Sequence, residues 1–389
     1  MILKKLYNCS ILLLGVITTA CITPFTPKGV ESDEGSLVIE GDIILNGDTK
    51  IYLSLLRALD SPFSITYVTN AQVWVENQHG TTYSGSVKVE PNEPPYYIID
   101  TRILSLDQQY KLCVHLQDGR RYESNFLTPL VTPEIDAIGF MVDDSKTSVD
   151  FHVTTHDSNS ASRFYKWRYI EDWEIVAHYY TNVYYDRSLR TVRQYATPAP
   201  YYYCWRHSKS STVVAKTDHL NQNLVYQQRL NTVDRRDDRI SYLYSMELLQ
   251  MSITKEAHSY WSVLKRNTDE IGSIFAPQPT DLHGNIRCIT DPGVRVIGFI
   301  SAGTITTKRI FVTSQEIGIY TPFLCNPMDT ALFDGWRTPP TFADYYDYGF
   351  RIVGFDIASG GHEWFPRACV ECTARGTKNK PPFWPNNHI

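Results

Sequence analysis

The sequence lacks the motifs by which many enzymes are recognised. It contains no glycine-rich phosphate loop leading into a helix, no HExxH zinc motif and no GxSxG nucleophile elbow. Its one CxxC pair is Cys369 and Cys372, whereas zinc would need a second pair or clustered histidines and a redox site would need a βαβ context. We therefore expect no metal, no cofactor and no catalytic role, and a structural role for these two cysteines.

An excess of positive charge is also missing. The chain has 37 basic and 42 acidic residues, and loss of Lys4 and Lys5 with the leader described below leaves 35 against 42, a net charge of about −7. This balance argues against nucleic acid and against an anionic lipid surface as the main partner. No later segment reaches the roughly 18 consecutive apolar residues from which a membrane-spanning helix is inferred.

The first twenty residues have the layout of a lipoprotein signal peptide. Lys4 and Lys5 give a positive start, the apolar run that follows is short, and small residues stand directly before Cys21. We predict cleavage after residues 1–20 and attachment of diacylglycerol to the Cys21 thiol, whose acyl chains gain roughly 0.8 kcal/mol per buried methylene. The alternative is ordinary secretion with a chance cysteine at this position.

The rest of the chain reads as a tether followed by strands. Residues 21–35 are rich in proline, glycine and acidic side chains, which predicts a lipidated flexible tether. From residue 36 onward, apolar and polar residues alternate in short runs that turn signals such as Asn46-Gly47 and Asp118-Gly119 separate. Together with 26 tyrosines, this pattern predicts a mainly β protein that begins with an immunoglobulin-like β-sandwich over residues 36–130.

A larger β-rich domain with a disulfide-stapled C-terminal tail is predicted over residues 131–389. One clear α-helix interrupts its strands at about residues 254–267. Thr254 can cap this helix, and apolar residues from Ala257 to Leu264 recur at helical spacing on one face. We expect this face to pack on a sheet.

An acidic cluster, Glu171, Asp172 and Glu174, lies on a predicted strand with a tryptophan inside it. Two carboxylates can perform glycoside hydrolysis. Acidic residues that alternate with aromatic ones on a strand are, however, typical of a solvated face, which is the interpretation preferred here.

Aromatic clusters are the clearest sign of a binding role. Tyrosine and tryptophan supply rigid, amphipathic contact area. Neighbouring residues of an extended strand point to opposite faces, so part of each run must be exposed. The predicted aromatic binding surface consists of Tyr179, Tyr180, Tyr184, Tyr185, Tyr201, Tyr202, Tyr203, Trp205, Tyr345, Tyr346 and Tyr348.

Disulfides are expected because an exported protein matures in an oxidising compartment. Six cysteines remain after Cys21, an even number that allows fifteen complete pairings, and the residue pattern alone leaves all of them open. The six are Cys113, Cys204, Cys288, Cys325, Cys369 and Cys372.

The chain resembles the Bacteroidetes lipoproteins classed as domain of unknown function 4249, over nearly all of its mature length. The order and spacing of several short motifs carry this resemblance. They include Leu37-Val38-Ile39-Glu40-Gly41, Tyr165-Lys166-Trp167, Cys204-Trp205, Gly272-Ser273-Ile274-Phe275 and Lys380-Pro381-Pro382-Phe383-Trp384-Pro385.

In that family's pattern, cysteines matching Cys204, Cys325, Cys369 and Cys372 recur, whereas Cys113 and Cys288 are additions. The resemblance thus suggests that the two additions pair with each other and tie the two domains together.

The resemblance also implies a location and a partner. Members are commonly encoded beside TonB-dependent transporters of the SusC and SusD type. It therefore implies a non-catalytic accessory lipoprotein on the outer membrane, facing the cell exterior, that contacts the transporter and its SusD-type lipoprotein and helps to capture oligopeptides or glycans. The alternatives are a free-standing surface hydrolase (a glycosidase or peptidase) and an adhesion or structural module.

Overall fold

The structure is a computed structural model that describes residues 35–56, 65–91, 93–159, 163–210, 212–218, 220, 222–269, 284–318, 325–326, 340–356 and 361–385. The predicted signal peptide, Cys21 and nearly all of the predicted tether lie outside the described residues. The fold is mainly β, as predicted. No helix among the described residues is long and apolar enough to cross a membrane.

The first unit is a β-sandwich of two sheets. The strands are β1 (Leu37–Gly41), β3 (Asp48–Leu55), β4 (Thr66–Tyr67), β5 (Gln72–Asn77), β6 (Thr82–Ser84), β7 (Ser86–Lys88), β8 (Tyr96–Asp100), β9 (Tyr110–His115), β10 (Arg121–Ser124), β20 (Ile286–Cys288) and β21 (Val296–Ile297). One sheet has the order β21-β1-β3-β8-β7, with β4 also on β3, and the other has the order β20-β10-β9-β5-β6. In β5, Val73 and Val75 are buried while Trp74 between them is not, so the alternation seen in the sequence does define the core face.

The predicted boundary at residue 130 is incomplete, because residues 286–303 return to the first unit. Strand β20 pairs with β10 and β21 pairs with β1, while β2 (Ile43–Ile44) pairs in parallel with β22 (Ala302–Gly303). An edge strand leaves backbone groups unpaired, and a distant segment can satisfy them without any local sequence signal. The first sandwich is therefore closed by a part of the chain that was assigned to the second domain.

The second unit is also a sandwich, whose two sheets share one apolar core. A three-stranded sheet has the order β11-β12-β18, and a five-stranded sheet has the order β16-β13-β19-β23 with β17 also on β13. The strands are β11 (Ile135–Val142), β12 (Ser148–His156), β13 (Phe164–Val176), β16 (Tyr203–Lys209), β17 (Val213–Lys216), β18 (Leu224–Asp234), β19 (Leu243–Ser252) and β23 (Ile305–Thr313). A 3₁₀ turn (Asp238–Ile240) joins β18 to β19.

Two hairpins and short helices complete the second unit. The hairpins are β14 (Val183–Asp186) with β15 (Thr191–Gln194), and β24 (Phe350–Asp356) with β25 (Gly361–Pro366). The short helices are α2 (Ser314–Ile317), α3 (Phe342–Asp347) and α4 (Arg367–Val370), followed by a 3₁₀ turn (Cys372–Ala374).

The predicted helix is present as α1 (Lys255–Asp269). The Thr254 hydroxyl accepts a hydrogen bond from the Ala257 amide at 3.2 Å, the expected N-terminal cap. Its Ala257 and Tyr260 are buried in a small cluster with Ile44 of the first unit and Met251 of the second. Helix α1 thus packs where the two sandwiches meet.

A buried ion pair also joins the two sandwiches. Lys166 of β13 and Asp42, which lies between β1 and β2, are both almost fully buried, and Lys166 Nζ donates to Asp42 Oδ1 at 2.7 Å. The Ser301 amide donates to the same carboxylate at 3.2 Å. Burial lowers the pKa of the Lys166 ammonium, and the Asp42 charge opposes that shift.

Two disulfides staple the C-terminal region, as the sequence predicts. Cys204 of β16 bonds Cys372, and Cys325 bonds Cys369, with Cα atoms 5.5 and 5.8 Å apart respectively. The CxxC motif therefore contributes one cysteine to each of two bridges.

The suggested Cys113–Cys288 bridge is wrong. Both are buried free thiols, and β10 lies between their strands. Cys113 is paired with Glu123 of β10, whereas Cys288 is paired with Tyr122, so the two thiols point to opposite faces of the sheet. Burial raises the pKa of the Cys113 thiol to about 12.

Peptide mapping without reduction should recover the Cys204–Cys372 and Cys325–Cys369 bridges, with Cys113 and Cys288 alkylated only after denaturation. The variant Cys372→Ser should lower the free energy of unfolding by about 2–5 kcal/mol, because the bridge spans 168 residues of the unfolded chain. Chemical denaturation measures this loss. A Cys113–Cys288 peptide in the map would contradict the structure.

Breaking the ion pair between the sandwiches should lower the free energy of unfolding by more than breaking an exposed ion pair does. Lys166→Met leaves the Asp42 carboxylate buried and unpaired, and we expect a loss of about 3–5 kcal/mol in urea denaturation. The double variant with Asp42→Asn should recover most of it. The control is Lys209→Met, which breaks a partly exposed pair with Glu93 and should cost at most about 1 kcal/mol. Equal losses in the two single variants would contradict a buried pair.

Candidate binding cleft

The hairpins β14–β15 and β24–β25 pack on helix α3 around a small aromatic core. Trp364, Ile352 and Tyr185 are its buried members, and the rings of Phe342 and Tyr345 pack against Trp364 at centroid distances of 5.3 and 5.4 Å. Aromatic pairs of this kind hold short hairpins that could not fold alone. This core supports an open cleft on its outer side.

The cleft lies between the two hairpins and the segment after α4, with a volume of about 760 Å³. We call it the tyrosine cleft and define it by its walls and floor. These are Tyr184, Tyr185, Tyr195, Tyr201, Tyr346, Arg193, Arg351, Arg367 and Glu371.

The tyrosines of the cleft hold one another in place. Tyr184 and Tyr195 are stacked with centroids 4.6 Å apart, and Tyr201 meets Tyr195 edge to face at 5.7 Å. The Arg351 guanidinium lies 3.9 Å from the centre of the Tyr346 ring. The walls are thus rigid before any ligand arrives, which lowers the entropic cost of binding.

A carboxylate clamped by two arginines forms the floor. Arg351 Nε donates to Glu371 Oε1 at 2.7 Å, and Arg367 Nε donates to Glu371 Oε2 at 2.6 Å. Burial raises the pKa of the nearby Tyr195 hydroxyl, and the Glu371 charge raises it further. The cleft therefore presents tyrosine edges and hydroxyls beside a cationic floor.

A second group of tyrosines lies close to the cleft. Tyr180 meets Tyr202 edge to face at 5.2 Å, and Tyr202 meets Tyr203 at 4.8 Å. Tyr180 is 56% exposed. We call these three residues the tyrosine ladder.

The structure divides the predicted aromatic surface. Four members line the cleft (Tyr184, Tyr185, Tyr201 and Tyr346), three form the ladder (Tyr180, Tyr202 and Tyr203), and Tyr348 is exposed beyond α3. Tyr185 and Tyr345 also pack with Trp364, Tyr179 packs against Phe365, and Trp205 packs with Leu243 and Trp384. Trp205 is buried, so its predicted place on a surface is wrong, whereas Tyr179 and Tyr345 are partly exposed, and binding by any of these residues stays a prediction.

The residue pattern of the sequence did not point to the charged residues of the cleft. Phe350 pairs with Pro366 in the β24–β25 hairpin, which brings Arg351 and Arg367 to the same end of it, beside Glu371. The spacing of Arg351, Arg367 and Glu371 along the chain does not indicate that their side chains lie together. Among the described residues, no group of three His, Cys, Asp or Glu side chains could hold a metal ion.

The acidic cluster is buried, so its interpretation as a solvated face is wrong. Glu171 faces the core and accepts from Arg239, Tyr244 and Asn231. Asp172 and Glu174 point to the other side of β13, where Asp172 accepts from Arg309 Nη1 at 3.2 Å.

His207 Nδ1 also lies 2.9 Å from Asp172 Oδ1, and Glu174 accepts from Trp384 Nε1 at 3.0 Å. The three carboxylates therefore point to two faces of β13, and each is engaged by protein donors, which is a structural arrangement.

Loss of the Trp384 indole N–H should loosen the C-terminal tail. Trp384→Phe keeps an aromatic ring against Trp205 but removes a donor from the buried Glu174 carboxylate, and we expect about 1–3 kcal/mol of destabilisation in thermal unfolding. Tyr226→Phe is the control, since Tyr226 is 69% exposed on β18. Equal stability of the two variants would show that the hydrogen bond is unimportant.

Comparisons with known proteins identify a family. The model of the family described as Domain of unknown function (DUF4249) matches residues 22–309, which span both sandwiches and the β14–β15 side of the cleft. A search of curated proteins found no match. The chain belongs to the DUF4249 family.

Proposed function

We propose that the protein is a non-catalytic accessory lipoprotein of a TonB-dependent importer of the SusC and SusD type, held on the outer surface of the outer membrane by lipid on Cys21. Its task is to help capture oligopeptides or glycans. The observation that carries this proposal is the tyrosine cleft, an open aromatic site on a chain for which the sequence predicts a lipoprotein signal peptide over residues 1–20.

A binding role is supported by the way the cleft is built. Its tyrosines are fixed by ring contacts and its charged floor by two arginine–carboxylate bonds, so little ordering is needed when a ligand binds. Pockets of several hundred cubic ångströms with a few fixed polar groups are typical of small-ligand sites.

The tyrosine ladder supports a second contact, with a protein partner. Tyr180 exposes more than half of its surface next to the more covered Tyr202 and Tyr203. Tyrosine is enriched among the residues that dominate protein interfaces. In our proposal the ladder contacts the transporter or its SusD-type lipoprotein, while the cleft takes the ligand.

The main alternative is a surface hydrolase. Its best carboxylate set, Glu171, Asp172 and Glu174, is buried and engaged by protein donors, which favours the binding role. An adhesion or structural module would have neither a transporter partner nor a small ligand.

Mild-detergent purification of the native lipoprotein, followed by mass spectrometry, tests the proposal. We expect a TonB-dependent barrel and a SusD-type lipoprotein to co-purify. Changing Tyr180 and Tyr202 to alanine should weaken their association by roughly 30-fold or more and so lower their recovery, because an interface hot spot contributes about 2 kcal/mol or more.

Tyr226→Ala is the control, since Tyr226 is 69% exposed on β18, away from the ladder. A monomer without partners would contradict the importer role, and hydrolysis of a peptide or glycan by the purified protein would favour the hydrolase.

A further inference from the structure

We propose that the tyrosine cleft recognises the terminal carboxylate of an oligopeptide, with Arg367 as its main contact. This inference rests on the proposed capture role and names the ligand chemistry of the same site.

The charges of the cleft select an anion. Glu371 is shared by Arg351 and Arg367, and Arg193 lies 3.4 Å from the nearest oxygen of Asp186. Three guanidinium groups against two carboxylates leave one net positive charge. That positive charge would repel an ammonium or other cationic ligand, whereas a single carboxylate would neutralise it.

Of the two arginines that hold Glu371, Arg367 is the one that can give hydrogen bonds to a ligand. Arg351 donates to Glu371 and to the carbonyl oxygens of Tyr346 and Phe350, and its side chain is only 14% exposed. The Arg367 side chain is 46% exposed, donates through Nε to Glu371, and reaches Thr373 only at 3.4 Å through Nη2. Among the described residues no group accepts from Arg367 Nη1.

The orientation of the Arg367 guanidinium is set in advance. Glu371 holds it through one oxygen and is itself held through the other by Arg351, whose guanidinium lies on the Tyr346 ring. A planar guanidinium fixed in this way matches the two oxygens of a carboxylate.

The tyrosine arrangement favours a peptide over a sugar. A pyranose binds by stacking on an open ring face, but Tyr184 and Tyr195 cover one face of each other, and Arg351 covers a face of Tyr346. What these rings offer instead is hydroxyls and edges, which suit peptide N–H and C=O groups. Tyr201, 38% exposed, leaves apolar surface for a C-terminal side chain.

Isothermal titration calorimetry on the full chain in mild detergent tests this assignment without any transporter. The probes are the tripeptide Ala-Ala-Phe with a free C-terminus and the same tripeptide as its C-terminal amide. We expect the free acid to bind about tenfold or more tightly, since a charge-assisted hydrogen bond is the difference between the two probes. Equal affinities would overturn the assignment.

Three variants locate the contact. Arg367→Gln should abolish the preference for the free acid, and Arg367→Lys should keep only part of it because the planar fork is lost. Arg187→Gln is the matched control, since Arg187 pairs with Asp347 on the surface outside the cleft and should leave the preference unchanged. Thermal unfolding of each variant confirms that the fold is intact.

A preference that survives in folded Arg367→Gln would overturn the role of Arg367. Binding of digalacturonate, but not of the tripeptide, would overturn the peptide assignment in favour of an acidic glycan. Neither result bears on co-purification with the transporter, so this inference and the proposed function fail separately.

Discussion

The charges that strand β13 buries are the constraint on which the rest of the structure depends. This strand is covered on both faces, yet it carries Lys166, Glu171, Asp172 and Glu174, all nearly inaccessible to solvent. A buried charge without a partner would cost several kcal/mol, so each must be matched by another part of the chain. The partners belong to four different parts of the chain, and their contacts with β13 fix how those parts pack around it.

Each buried charged residue of β13 has a partner on another element and so attaches that element to the strand. On the face toward the core, Glu171 holds Arg239 of the 3₁₀ turn that precedes β19. On the other face, Lys166 reaches Asp42 and attaches the first sandwich, Asp172 binds Arg309 of β23, and Glu174 holds Trp384 of the C-terminal tail. The tail, in turn, pairs its Thr377 with Trp205 and stays bonded to β16 through the Cys204–Cys372 bridge. The same segment carries Glu371, so the network in β13 also positions the floor of the tyrosine cleft.

This organisation separates stability from binding. The charged groups of β13 are consumed by protein partners, and the acidic residues that looked suitable for chemistry serve the fold. The cleft lies beyond the end of β13, on hairpins held by an aromatic core of their own and by disulfides. Such a support, with a preformed aromatic and cationic surface, fits the proposed binding role, in which recognition depends on fixed geometry.

The sequence by itself determined what depends on neighbours along the chain. Strand alternation in β5 and β9, the cap at Thr254 with the apolar face of α1, and the expectation of C-terminal disulfides all follow from local spacing or residue type, and the structure agrees. It also indicated that the aromatic clusters would form a surface; four of their tyrosines line the tyrosine cleft, whereas Trp205 is buried.

Only the tertiary structure decided which distant segments meet. The return of residues 286–303 to the first sandwich, the opposite orientation of Cys113 and Cys288, and the burial of Trp205 depend on strand order and register. So does the joining of Arg351, Arg367 and Glu371 at the end of a hairpin. Pairing between strands is satisfied by any backbone of suitable geometry, so the local sequence does not specify the partner, and the tyrosine cleft forms where those partners converge.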